Sequence, residues 1–502
     1  MNRRTFLKLS GSGLFSSLVS CRQPEEINLN FPVQIQDDLL RGHRLFNGPK
    51  SGKFRKEYRK DVLVVGAGIS GLASAYQLRS RDAVVIEIGN TIGGSSASGD
   101  YKGIPFSMGA HYDLEYPDYY GRETLELLVE LGVIRLNPVR RLWEFVDRQF
   151  LIEPDEESQC RVRLGFRSEV LPDTPQTLRF IQWIQSFSGS MPMPTRLISP
   201  EFRELNFITF AQLLKKEGID ISAEFRQAID YQLTDDYGAG MDQVSALAGI
   251  HYYQCRPYYS ESIQVFSPPQ GNAYFADKLL GGLPPDTVRL NSLVKSILPE
   301  SNRFKVQVLD LITGETDEYR VSQVVYAGHK QGLKYSLPEE YPRFSETIYA
   351  PWLVFNFILN RPTESKFWQN EMPVSDSGFL GVVNSQAQYA PFPNTSLGAY
   401  FCLSPDQRAS LLEIHKNSAS WLRRVLSLIN QALDERIDQR ILQGSIRVLG
   451  HAMPIPVPGY LFQDRNDQRK FEGLVYAGVD NGRLPLMFEA LDSGILAASL
   501  LS

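Results

Sequence analysis

The chain has 502 residues, 43% hydrophobic and 22% charged, a balance that suits a soluble globular protein of two folding units or one two-lobed unit. Its net charge of -5 at pH 7 offers no basic footprint, which sets nucleic acid aside as a partner. The 28 Phe, 23 Tyr and 30 Pro predict a sizeable core cut by many turns.

Residues 1–21 read as an address rather than as fold. Asn2-Arg3-Arg4-Thr5-Phe6-Leu7-Lys8 is a twin-arginine pattern, followed by a weakly apolar stretch to Val19. That stretch falls short of the roughly 20 apolar residues a membrane span needs. It ends in Leu18-Val19-Ser20-Cys21, which resembles a bacterial lipobox, where the cysteine is acylated and becomes the new N-terminus; a chance cysteine beside an ordinary cleavage site is the alternative. The expected partners are the twin-arginine export machinery and a membrane reached through a lipid anchor at Cys21, and the expected location is the periplasm or cell envelope. Cys160, Cys255 and Cys402 show neither a zinc pattern nor an evident disulfide framework and read as buried thiols, with one disulfide left open. Residues 22–57 lack sustained periodicity and read as a tether that partly packs on the body, with Gly42-His43-Arg44 as a point of contact.

Beyond the tether the pattern changes sharply. Residues 61–65 predict a short apolar strand, 66–71 a glycine turn, 72–81 a helix, and 83–88 a second apolar strand carrying Glu87, which together make a right-handed β-α-β unit. Helical spacing follows at 125–131 and 211–217. Strand-like runs return at 287–290, 304–308, 323–327 and 352–359, then a helix at 419–433, a strand at 474–477 and a last helix at 486–500.

The turn is Gly66-Ala67-Gly68-Ile69-Ser70-Gly71, and its place between strand and helix gives the G-x-G-x-x-G pattern its meaning. Gly66 permits the tight turn, Gly68 lets the backbone approach a pyrophosphate, and Gly71 lets helix and strand pack closely. The helix end that Ile69 and Ser70 open presents N–H groups and a partial positive charge to phosphate. Glu87 stands at the spacing of an acid that bonds ribose hydroxyls. This unit alone leaves NAD and FAD equally open.

Three further stretches resemble the flavin amine oxidase superfamily and its phytoene-desaturase-like relatives. They are Ile92-Gly93-Gly94-Ser95, Gly109-Ala110-His111-Tyr112 and Tyr476-Ala477-Gly478-Val479-Asp480. The resemblance implies FAD as cofactor. It puts Gly93, Gly94 and Ser95 at the pyrophosphate, Gly109, Ala110 and His111 near the flavin ring, and Gly478 and Asp480 at the ribityl chain or pyrophosphate. Ser267-Pro268-Pro269-Gln270-Gly271 resembles the family's proline-glycine segment before a helix, and Asn291-Ser292-Leu293-Val294 its strand whose valine backbone, here Val294, meets adenine. The implied fold is α/β: a Rossmann-like FAD-binding domain of glutathione-reductase type at 58–115, 261–345 and 455–502, interleaved with an α+β substrate domain at 116–260 and 346–454. The family often carries arginine where Ser95 stands, so pyrophosphate binding is expected to rely more on backbone N–H groups. Twin-arginine export fits, since that route resembles one used by proteins that fold around a cofactor first.

For activity, the resemblance implies an FAD-dependent oxidoreductase of amine oxidase type. Such an enzyme oxidises a C–N bond of a small-molecule substrate, polyamines among the candidates, by hydride transfer to flavin N5. Lys334, in Gly332-Leu333-Lys334, matches the family lysine linked through water to N5, against the alternative of a solvated surface lysine. His451 lies near the position of covalent flavin attachment, against the alternative of a pocket-lining histidine. The family's two substrate-steering rings align with Ala452 and Leu486, neither of which is aromatic, unless His451 and Phe488 serve instead. Their absence favours a second reading, a desaturase-like flavoenzyme on an apolar isoprenoid; a third is a non-catalytic flavin-loaded lipoprotein. Asp235 and Asp236 could attract a cation or form a helix cap, and His251-Tyr252-Tyr253 with Arg256, Tyr258 and Tyr259 could line a pocket or fill the core. No metal site is expected.

Overall fold

The computed structural model describes residues 26–47, 53–110, 120–152, 174–255, 265–364, 369–371, 378–385 and 395–501. The expectations for Cys21, His111, Tyr112, Cys160, Arg256, Tyr258 and Tyr259 lie outside these residues.

Two sheets organise the molecule. The first has seven strands, in the order Val288–Arg289, Ala83–Ile86, Phe54–Val65, Thr316–Tyr326, Arg303–Asp310 and Ser292–Glu300, with Leu474–Tyr476 also paired to Thr316–Tyr326. Val62, Leu63 and Val64 are fully buried, as expected of a parallel strand covered on both faces. Strand Thr316–Tyr326 joins two kinds of pairing. Its first half runs antiparallel to Arg303–Asp310, and its last three residues run parallel to Leu474–Tyr476. The other edge lies parallel to Phe54–Val65. The parallel part thus draws strands from both ends of the chain.

Helix Ile69–Gln77 follows the first glycine turn, and the last helix, Met487–Ser499, packs on it. A Cβ on Gly494 would stand 2.4 Å from Ser70 O, so glycine sets that close approach. Ser74 Oγ donates to Gly494 O at 3.0 Å.

The second sheet has six strands, in the order Val33–Asp37, Ile441–Pro454, Tyr349–Leu359, Thr395–Cys402, Phe379–Asn384 and Gln369–Glu371. Alternation divides its faces. Leu353, Phe355, Phe357 and Leu359 point to helix Ile414–Leu433, which meets them with Leu422, Val425, Leu426, Ile429 and Leu433 at spacings of three and four. Trp352, Val354, Tyr400 and Cys402 face the other way, into the large core that includes helices Ala223–Tyr237 and Ala246–Gln254.

Residues 22–57 are more than a tether. Val33–Asp37 is an edge strand of the second sheet, parallel to Ile441–Pro454, and Phe54 already begins the first sheet's long strand. The contact expected around Gly42-His43-Arg44 is present: Arg44 Nη1 donates to Leu311 O at 3.1 Å. No helix among the described residues is long and apolar enough to cross a membrane.

Candidate cofactor cleft

The glycines of the first turn divide by what surrounds them. Gly66 has φ +94°, and a Cβ there would meet Gly328 N at 3.1 Å. On Gly71 it would stand 2.0 Å from Gly66 O, so both positions are demanded by the fold. On Gly68 the nearest atoms would be Gly93 O and Gly94 Cα at 3.9 Å. Among the described residues nothing forbids a side chain there, so the open approach serves something other than packing. Helix Ile69–Gln77 starts at that point with Gly68 as N-cap and no side chain capping it, which leaves its positive end turned to the same space.

Glu87 braces the turn. Its Oε2 accepts from Ala67 N–H at 2.6 Å and its Oε1 from Gly89 N–H at 2.7 Å, with the residue buried. Ser292 N–H donates to Glu87 O at 2.8 Å, which runs Val294's strand beside the acid. Val294 itself is buried opposite Val308, next to a bulge at Ser296.

The second glycine pair lies against the first turn: a Cβ on Gly94 would stand 3.2 Å from Gly68 Cα. Ser95 is exposed, its carbonyl accepts from Ala110 N–H at 3.0 Å, and Gly109 packs so tightly that a Cβ would stand 1.7 Å from Ser95 O. Residues 93–95 and 109–110 are therefore one unit. An arginine of the second sheet holds this unit through its backbone. Arg447 of the second sheet donates to Gly94 O at 2.6 Å and to Met108 O at 3.3 Å, buried as it does so. A lone arginine between Ile446 and Val448 in an apolar strand was the sequence signal for it.

The far end of the site gathers residues from five segments. Gly478, at φ +126°, donates its N–H to Ser493 Oγ at 2.9 Å. Asp480 Oδ1 accepts from Lys330 Nζ at 2.8 Å, and its Oδ2 from Tyr349 Oη at 3.3 Å. Burial alone would raise the Asp480 pKa, yet Lys330 and His329 together hold it below the usual carboxylate range. Burial in turn lowers the Lys330 pKa, against the pull of Asp480. The His329 ring lies 4.5 Å from Tyr349 and 4.7 Å from that of His451. Burial lowers the His329 pKa to about 4 and the His451 pKa to about 3, so both are neutral at pH 7. Ser95, Ala110 and His329 keep accessible surface, His329 even though the Tyr349 and His451 rings crowd its own.

Lys334 is not part of this group. It is exposed, its Nζ 5.9 Å over the Tyr335 ring, because residues 330–336 wind into helical turns instead of running on extended. The lysine buried at the site is Lys330, one turn earlier, which the sequence reading passed over along with Tyr349. The His451 ring is half-buried against those of His329 and Tyr349. Phe488 offers no ring to the cleft, being fully buried and stacked on Tyr120 at 3.9 Å, and Leu486 is buried too. Asp235 and Asp236 sit in the last turn of helix Ala223–Tyr237. His251 is a core residue whose Nε2 lies 3.4 Å from Cys255 Sγ. No group of three or more His, Cys, Asp or Glu among the described residues is arranged to hold a metal ion.

The sequence matches the family model of the NAD(P)-binding Rossmann-like domain over residues 64–131. No curated protein matches it. Solved structures do: putrescine oxidase bound to putrescine superposes with a TM-score of 0.61 at 17% identity, covering 88% of this chain and 99% of that one. The chain has the flavin amine oxidase fold. Cyclohexylamine oxidase from Brevibacterium oxydans IH-35A shares it, with a TM-score of 0.58 at 15% identity over 88% of this chain and 98% of that one. So does a protein from Exiguobacterium sp. 255-15 assigned as a protoporphyrinogen oxidase, at 0.58 and 15% over 89% and 99%. At such identities the amine oxidase fold is what is shared.

Proposed function

We propose that the protein is an FAD-dependent oxidoreductase of amine oxidase type. The observation that carries this reading is Gly68, a glycine that packing does not require, at the positive end of a helix that opens into the cleft. In this reading residues 66–71 and 93–95 hold the diphosphate through backbone N–H groups, Glu87 the ribose and Val294 the adenine. Asp480 meets the ribityl hydroxyls, and the start of helix Met487–Ser499 meets the flavin pyrimidine. Bound there, FAD would supply a two-electron acceptor. The protein's part is to position a C–H bond and keep water out, which the apolar face of Trp352, Val354 and Tyr400 suits. The absorption spectrum of purified protein, before and after denaturation, tests the cofactor. A protein without a flavin band, and unable to take one up from added FAD, sinks the reading.

For substrate we propose oxidation of a C–N bond. A second reading, an apolar isoprenoid, is supported by the missing rings at Ala452 and Leu486 and by the run Leu486-Met487-Phe488. Anaerobic mixing with amines and with a polyene separates them: the compound that bleaches the flavin names the class. Bleaching by neither, nor by any artificial donor, favours a flavin-loaded lipoprotein without catalysis. We also propose twin-arginine export and acylation at Cys21, supported by the sequence of residues 1–21. Labelled palmitate should enter the wild type and not Cys21→Ser.

A further inference from the structure

Lys330 and Asp480 stand 150 residues apart on loops that follow different strands of the first sheet. Every proton of the Lys330 ammonium has an acceptor: Asp480 Oδ1 at 2.8 Å, Ala477 O at 2.7 Å and Gly328 O at 3.2 Å. The other carboxylate oxygen accepts from the Lys330 backbone N–H at 3.2 Å as well as from Tyr349. The lysine is fully buried and Asp480 nearly so. Gly478 makes room for the pair, since a Cβ there would stand 2.7 Å from Asp480 Oδ1 and 3.2 Å from Lys330 Nζ.

Neither charge would persist alone in such a place; an unpaired buried carboxylate takes up a proton instead. An unpaired anionic Asp480 would repel any diphosphate held at Gly68. We propose that Lys330 is a positioning residue of the cofactor site: its ammonium cancels and orients the Asp480 carboxylate, so that residues 478–480 present a neutral, acceptor-rich surface to the hydroxyls of a dinucleotide's sugar chain. This rests on the FAD reading above.

A cross-link that serves only the fold is lost whichever partner is removed, whereas charge compensation is restored by removing both. The test is titration of FAD into full-length protein stripped of flavin, followed by fluorescence quenching, for wild type, K330R, K330M, D480N and K330M/D480N. K330M should bind at least about tenfold more weakly, and K330M/D480N should return to within about threefold of wild type. K330R should stay close to wild type, because it keeps the charge. The affinity of K330M should improve as pH falls from about 8 to about 6, as Asp480 takes up a proton, while wild type and the double variant stay flat. Wild-type affinity in K330M, or a double variant as weak as K330M, overturns the proposal. If K330M does not fold, the double variant decides alone: folded and FAD-binding supports the proposal, anything else overturns it. Wild type that takes up no FAD is a different failure, that of the FAD reading, and the proposal falls with it.

Discussion

The two walls of the cleft are built from different material. The first-sheet wall is backbone: Gly66, Gly68, Gly93 and Gly94 lie so close together that hardly a side chain intervenes, and one carboxylate, Glu87, ties the turn by two N–H groups. The second sheet contributes side chains: Arg447, which reaches Gly94 and Met108, and Trp352, Val354 and Tyr400, which pack into the core, on strands whose other face is packed against helix Ile414–Leu433. A backbone wall fixes a ligand by shape and admits almost no substitution. A side-chain wall can be repacked while its sheet stays put, so one fold can serve different substrates.

This contrast can be broken most sharply within the glycine turn. Gly71→Ala drives a Cβ into Gly66 O and should cost several kcal/mol, read as a large drop in urea midpoint or as failure to fold. Gly68→Ala, three residues earlier, should keep stability within about 1 kcal/mol yet lose flavin. If the two behave alike, the turn has no dedicated ligand face. Glu87→Ala comes next. It orphans two buried N–H donors at roughly 1–3 kcal/mol each and should weaken flavin retention; unchanged flavin content after purification would remove the acid from the site.

Acid should then act on the junction of the walls. His329 and His451 have folded pKa values of about 4 and about 3, below the unperturbed 6.5. The unfolded chain therefore binds more protons below that value. Their contribution is complete above about pH 6.5 and is lost as pH falls toward about 3. Melting temperature should fall as pH is lowered through this window, and His329→Gln with His451→Gln should flatten that fall. The smallest effect is expected of Lys334→Met. An exposed lysine outside the cleft should leave flavin reduction and reoxidation at wild-type rates and stability within about 0.5 kcal/mol. Slowed flavin chemistry would bring Lys334 back to the site.

The same division governs what could be read in advance. The strand, turn and helix at 61–81 were legible because a backbone wall writes itself in glycines at fixed spacing, and the first sheet's later strands because buried parallel strands are runs of apolar residues. Lys330, Tyr349 and Arg447 were not, since each acts on a partner brought near only by the finished fold; Arg447 and Gly94 are 353 residues apart. Lys334 misled for a local reason. A short helix shifted the lysine positions by one turn, and spacing alone does not tell a helical from an extended connection. The edge strand at Val33–Asp37 was hidden because five residues on a sheet edge carry too little periodicity to stand out from a linker.

That edge strand sets a timetable. Its neighbour in the sheet belongs to the last part of the chain to be made, and Asn28 hydrogen-bonds Asp438 across 410 residues. At roughly 5–20 residues per second, the early segment leaves the ribosome about 20–80 s before its partner exists. Until then Val33–Asp37 has neither its parallel neighbour nor the Asn28 contact, so a sheet edge made among the first residues waits for nearly the whole chain before it can pair.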